Sequence, residues 1–200
     1  LFANDAPDLA SLFSDSPDVS FLDVSSEEVP RIGRLLDATN VQRVSASVVV
    51  KVVEAAGGRL DAEMTNRTRR AASHLGRLLY AKSHASFEHA LEQGLFLRLR
   101  ELEVIEVPEL KLSVSLGETS RITTANIARD MDRIFVKAGT RSVIDQLATE
   151  LCQFLSTSED LADTFARVLT AEDAESAEDF LAVRRIGALP TDLQEALRGE

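Results

Sequence analysis

The feature that most constrains the fold is a change in the spacing of the apolar residues along the chain. From residue 61 to residue 102 they recur every three or four positions, the period of an amphipathic helix. Between residues 104 and 136 they gather in short β-branched runs, which are typical of strands, and the helical period returns from residue 143. The sequence therefore predicts an α+β fold: an antiparallel sheet of about four to five strands packed with helices, followed by a C-terminal helical bundle segment.

The predicted helix Asp61–Tyr80 gathers its core-facing residues, most of them apolar, on one face. These are Met64, Thr68, Ala71, Leu75, Leu78 and Leu79. A second helix is predicted to begin at Ser86 and to use apolar positions as far as Leu102, and the short connection favours an antiparallel pair. We expect Leu75, and Leu151 in a later helix, to be core residues.

The strand predictions rest on short runs bounded by glycine and proline. Val48–Val53 is β-branched and is interpreted as a largely buried strand. Further strands are predicted at Val104–Val107, Leu110–Leu116, Arg121–Thr124 and Met131–Val136. Because the connections between these four are short, we expect consecutive strands to be antiparallel.

Three segments are predicted along the chain: a linker or N-terminal extension (1–24), an α+β domain (25–140), and a C-terminal helical subdomain packed on it (141–200). Ser25-Ser26-Glu27-Glu28 matches the capping pattern of a hydroxyl followed three residues later by glutamate, which predicts a helix start. A chain that begins at Leu1, with no initiator methionine and no leader, is expected to be a piece of a longer protein.

Charge is distributed unevenly in this acidic chain, whose formal net charge is −11. Residues 1–30 hold seven acidic side chains and no basic one, residues 31–141 hold 18 basic against 13 acidic, and residues 142–200 hold 13 acidic against 4 basic. The basic middle either pairs internally or meets an acidic partner. The preference for arginine over lysine, 18 to 4, suggests a GC-rich bacterial genome. No apolar run approaches the roughly 20 residues that cross a bilayer.

Candidate catalytic and metal-binding residues are sparse. The histidines, at positions 74, 84 and 89, lack the three- or four-residue spacing that directs two ligands to one side of a helix. Cys152, the single cysteine, lies beside an apolar stripe without a basic neighbour, so we expect a buried, inert thiol in a reducing cytoplasm. We therefore expect no catalytic residue, no metal and no cofactor, and no enzyme in this chain.

One candidate interaction site is a basic stripe on the helix 61–80. Arg67, Arg70, His74 and Arg77 are spaced three, four and three residues apart, so they share one face opposite Leu75 and Leu78. Arginine suits carboxylate and phosphate groups. Three interpretations stay open: a helix face that balances acids elsewhere in the fold, a docking face for an acidic neighbouring domain, and a contact with nucleic acid. Aromatic residues make up only 5% of the chain, which disfavours base stacking.

The order of several degenerate motifs resembles a known arrangement over roughly residues 30–190. They are Leu35-Leu36 followed by Asn40-Val41, the strand entry Val44-Ser45-x-x-Val48, the helix end Leu78-Leu79-Tyr80, the strand Leu110–Leu116, the helix Gln146–Leu151, and the closing Asp179-Phe180-Leu181, Ile186-Gly187 and Leu189-Pro190. This order is similar to the region C-terminal to the ATPase domain in sacsin-like and NO VEIN-type proteins. Their ATPase belongs to the GHKL class of gyrase, chaperones, histidine kinases and MutL.

The resemblance implies that nucleotide is bound by a separate upstream domain, through an asparagine-bearing helix, an Asp-x-Gly-x-Gly segment and a glycine-rich lid. The present sequence contains none of these. The implied function is a non-catalytic accessory or interaction domain of a larger ATPase, coupling it to partner domains or to self-association. The expected partners are neighbouring domains of the parent chain or a second copy, with no membrane. The alternative function is a nucleic-acid-contacting module that uses the arginine stripe.

Overall fold

The computed structural model describes residues 1–22, 24, 28–39 and 41–198. Within these ranges the helices are α1 (Pro7–Ser11), α2 (Val29–Ala38), α3 (Val44–Ser47), α4 (Ala62–Lys82), α5 (His84–Glu92), α6 (Leu95–Glu101), α7 (Val143–Phe154), α8 (Ala162–Thr170), α9 (Ala174–Val183) and α10 (Thr191–Arg198). The strands are β1 (Phe2–Ala3), β2 (Phe21–Leu22), β3 (Gln42–Arg43), β4 (Val48–Glu54), β5 (Arg59–Leu60), β6 (Glu103–Val107), β7 (Lys111–Leu116), β8 (Thr119–Thr124), β9 (Ile127–Asp130) and β10 (Arg133–Lys137). The capping sequence predicted at 25–28 lies outside the described residues except for Glu28, and Asn40 also lies outside them.

The chain divides into two compact units. The first unit comprises Leu1–Glu54 and Lys111–Ala125, and the second comprises Ala55–Leu110 and the chain from Asn126 onwards. The boundaries predicted at residues 24 and 140 do not coincide with these units, because the chain leaves the first unit after β4 and returns to it for β7 and β8. The division into three segments stays a prediction.

The first unit contains an antiparallel sheet of strand order β4-β7-β8. Its central strand alternates: Leu112, Val114 and Leu116 are buried, and the residues between them are half-buried. A second, small sheet joins the two-residue strands β2, β1 and β3 in parallel.

Strand β4 is not the buried strand that its sequence predicts. Val49, Val50 and Val53 are 51%, 48% and 51% exposed. The reason is position, since β4 is an outer strand whose described pairing is with β7 alone. A short β-branched run fits a pleated surface at the centre or at the edge of a sheet, and its composition does not distinguish the two.

The second unit contains a mixed sheet of strand order β5-β6-β10-β9. Strand β6 pairs with β10 in parallel, and the other two pairings are antiparallel. The prediction that consecutive strands are antiparallel neighbours is therefore right for β7 and β8. It is wrong for β6 and β7 and for β8 and β10, because the members of each of these pairs belong to different sheets. Strand β9 lies in the segment between the predicted strands 121–124 and 131–136, which the sequence predicted to be a connection. The chain turns from β9 into β10 at Met131, whose φ is 51°.

Helix α4 organises the core of the second unit. The side chain of Asp61 caps it by accepting a hydrogen bond from the backbone N–H of Met64 at 3.0 Å. The buried hydroxyl of Thr65 accepts a hydrogen bond at 2.9 Å from the N–H of Val104, which joins the helix to β6. Leu75 is fully buried in this core together with Leu151, as predicted.

The arrangement of helices and sheets confirms the predicted α+β class. Antiparallel strand pairs pack with helices, and the C-terminal segment from α7 to α10 is helical. The helix predicted from Ser86 is divided into α5 and α6 at Gly94, whose φ of 63° suits glycine. None of the helices in the described ranges combines the length and the apolar character that a bilayer crossing requires.

Replacing Leu75 or Leu151 by alanine is expected to lower the free energy of unfolding by roughly 2–5 kcal/mol, because each leaves a cavity in a closed core. Urea denaturation followed by circular dichroism measures the loss. Leu97, an exposed leucine of α6, is the matched control, and its replacement by alanine should cost less than about 0.5 kcal/mol. A cost that small at Leu75 would contradict the assigned helix face.

Candidate functional site: the arginine row and its cavity

The predicted basic stripe, here called the arginine row (Arg67, Arg70, His74 and Arg77), runs along the side of α4 that meets α8 and α9. His74 is buried, Arg67 and Arg77 are half-buried, and Arg70 is exposed. The row is therefore not a solvated helix face along its whole length, because its long side chains extend onto the ends of the neighbouring helices.

The first two arginines bind backbone carbonyl groups near the end of α8. Arg67 donates from Nη1 to the carbonyl of Leu169 at 3.4 Å, and also pairs with Glu63 one turn earlier on α4 at 2.8 Å. Arg70 donates from Nη1 to the carbonyl of Glu172 at 3.1 Å. Because the last carbonyls of a helix have no partner within the helix, these guanidinium groups satisfy acceptors that would otherwise depend on water.

Arg77 fixes the segment that follows α9. It donates from Nε to the carbonyl of Gly187 at 3.0 Å and from Nη2 to the carbonyl of Ile186 at 3.2 Å. Its Nη1 also binds the carboxylate of Glu178. Only 15% of the Arg77 side chain is exposed. A single guanidinium thus joins α4, α9 and the segment beyond α9.

Glu178 is the acidic centre of this cluster. The hydrogen bond from Arg77 lowers the pKa of Glu178 below its ordinary value, and the charge of Arg77 and the neighbouring His74 act in the same direction. The Nε2 of His74 lies 3.3 Å from the Glu178 carboxylate. The geometry agrees with a row that balances charge within the fold.

The nucleic-acid interpretation of the row stays a prediction that gains no support from this geometry. Phosphate contacts need guanidinium donors that face solvent. The donors described for Arg67 and Arg77 face carbonyls and carboxylates of their own unit.

A cavity of about 290 Å³ opens beside the row. It is bounded by α4, α6, α9, α10 and the segment after α9. Its lining residues are Ser73, Arg77, Arg100, Glu178, Ala188, Leu189, Gln194 and Leu197. Gly76 sets the position of one wall, because a Cβ there would lie 2.8 Å from Cδ1 of Leu197. The absence of a side chain at Gly76 lets α10 approach α4 closely.

Arg100 is the unusual member of the cavity lining. Among the described residues it has no hydrogen-bond, ion-pair or ring partner. Arg98, two residues earlier on the same helix, pairs with Asp132 at 2.7 Å. Sequence reasoning missed Arg100, and no local signal separates the two arginines, because the difference lies in their distant neighbours.

The other candidate groups take no part in this site. Cys152 is buried, as predicted, and burial, with a smaller contribution from the charge of Glu159, raises the pKa of its thiol to about 12. His84 lies 3.4 Å from Glu88 on α5. Within the described part of the chain, no three His, Cys, Asp or Glu side chains are grouped so that they could hold a metal ion.

Replacing Arg77 by methionine is expected to lower the free energy of unfolding by roughly 2–4 kcal/mol, because two carbonyls and a carboxylate lose a charged donor in a half-buried place. Urea denaturation measures the effect. Arg70→Met is the control: its site is exposed, so water replaces the donor and the loss should be about 1 kcal/mol or less. Equal losses for the two variants would contradict the role assigned to Arg77.

Glu178→Gln is expected to destabilise the protein at pH 7 and to have little effect in acid. A carboxylate with a lowered pKa contributes stability above its unfolded-state pKa, and this contribution is lost as the pH falls through the folded-state value. Because 52% of the Glu178 side chain is exposed, the difference at pH 7 should be at most about 1 kcal/mol. Thermal melts from pH 7 to pH 3 test this. A difference between variant and parent that stays constant over that range would exclude an electrostatic origin.

Comparison with known protein families, with curated proteins and with solved structures finds no match to this chain. The similarity to the region beside a GHKL ATPase stays a prediction from the sequence.

Proposed function

We propose that this chain is a non-catalytic interaction domain of a larger cytoplasmic ATPase of the GHKL type, and that it couples the ATPase to a neighbouring domain of the same polypeptide. The type of parent protein comes from the sequence resemblance. The observation that best supports an interaction role is the exposed outer strand β4.

Strand β4 presents backbone groups and apolar side chains together. Its described pairing is with β7 only, so the backbone groups of its other edge have no strand partner among the described residues. Val50 lies opposite Val114 and Val49 lies opposite Ser115, so the exposed valines occupy both faces of the sheet. A long outer strand with apolar residues on both faces readily pairs with another strand.

The partner that fits this edge is an extended segment, which adds to the sheet as a further strand. Main-chain hydrogen bonds then supply affinity, and side chains on alternate faces supply specificity. Exposed Lys51 lies at the middle of β4, which favours a segment with an acidic residue opposite it. A second copy of β4 fits less well, because the symmetric register centred on Lys51 places two lysines face to face.

The test is the affinity of this chain for the rest of its parent protein, measured by calorimetry. The double variant Val49→Lys, Val53→Lys is expected to bind at least roughly tenfold more weakly, since charges at a strand edge oppose further pairing. Ile122→Lys is the matched control, because Ile122 is an exposed apolar residue of β8, the opposite outer strand.

Equal binding by the double variant and the parent would refute the role of β4. Saturable ATP binding by this chain alone would refute the non-catalytic assignment. A strong loss of binding with Ile122→Lys would assign the interaction to the other edge of the sheet.

A further inference from the structure

We infer that the cavity beside the arginine row binds a small aliphatic carboxylate, with the carboxylate on Arg100 and the apolar chain against Leu189 and Leu197. The site lies within the second unit, and the inference does not depend on the proposed role of β4. The cavity volume of about 290 Å³ is close to the lower limit for small-molecule pockets, which is about 300 Å³.

The charge inside the cavity favours an anion. Two guanidinium groups and one carboxylate line it. Arg77 is engaged by Glu178 and by two carbonyls, whereas Arg100 is unpartnered among the described residues. The lining therefore carries one positive charge in excess, in a chain whose net charge is −11.

The chemistry of Arg100 favours a carboxylate over a phosphate. A guanidinium group presents parallel N–H donors that match the two oxygens of a carboxylate. A phosphate monoester carries close to two charges and three acceptor oxygens, and it needs more donors. Among the described lining residues, the donors left for a ligand are Arg100 and the hydroxyl of Ser73, which has no hydrogen bond within the described chain.

The apolar part of the lining accounts for the rest of the ligand. Ala188, Leu189 and Leu197 lie on two different walls, one after α9 and one on α10. A short hydrocarbon chain in contact with them loses its exposure to water, which is favourable for binding. A free inorganic anion would leave these walls unused.

The cavity walls are held in place before any ligand arrives. Arg77 binds the carbonyl of Gly187, next to Ala188, and Gln194 donates from Nε2 to the carbonyl of Leu189 at 2.7 Å. The second bond ties the segment after α9 to α10. A preformed cavity requires little ordering on binding, so even a small ligand can have measurable affinity.

The experiment titrates this chain with hexanoate, followed by two-dimensional NMR of the backbone amides. We expect saturable shifts centred on Ser73, Leu189 and Gln194. Hexanamide, which has the same chain length without the charge, should bind at least roughly tenfold more weakly, and so should inorganic phosphate. Arg100→Gln should weaken hexanoate binding by a similar factor, and Arg100→Lys by less, because lysine keeps the charge and loses the planar fork.

Arg98→Gln is the matched control, because Arg98 lies on the same helix and binds Asp132 rather than the cavity; its hexanoate affinity should equal that of the parent. Thermal melts establish that each variant is folded. If Arg100→Gln does not fold, the affinity of Arg100→Lys for hexanoate is the test. The inference is overturned if hexanoate produces no saturable shifts, if hexanamide binds equally well, if folded Arg100 variants retain full affinity, or if phosphate binds more tightly than hexanoate.

Discussion

The second unit depends on one requirement: the carbonyl groups at and beyond the ends of α8 and α9 must find hydrogen-bond donors. Helix α4 supplies them through long arginine side chains, which cross from its surface to Leu169, Glu172, Ile186 and Gly187. Because a guanidinium group has several donors in one plane, one side chain can bind two successive carbonyls and a carboxylate. Three of the 18 basic side chains in residues 31–141, those of Arg67, Arg70 and Arg77, therefore have a structural role.

The features that sequence reasoning predicted are those determined by local pattern. The bounds of α4 follow from Asp61 and from the helical period, and burial of Leu75 and Cys152 follows from the same period. The features it missed depend on distant residues. The exposure of β4 follows from its place at the edge of its sheet. Strands β6 and β10 pair in parallel, and the β7–β8 hairpin that lies between them in sequence belongs to the other sheet.

The contacts of the candidate site also depend on residues that are distant in sequence. The spacing on α4 identified four residues on one helix face, but their partners lie about 100 residues further along the chain. Arg98 and Arg100 have nearly the same local sequence, yet among the described residues Arg98 has an acidic partner and Arg100 has none. A periodic pattern identifies a helix face. It does not identify the atoms that the face contacts, and for a charged residue those atoms decide between a structural role and a binding role.

The buried thiol of Cys152 has a practical consequence. It is the sole cysteine of the chain, it is fully inaccessible, and its pKa is raised to about 12. An alkylating reagent reacts with a thiolate that it can reach, so modification requires the core around α7 to open first. The rate at which the Cys152 thiol is labelled therefore reports how often this core opens spontaneously, and no engineered probe is needed.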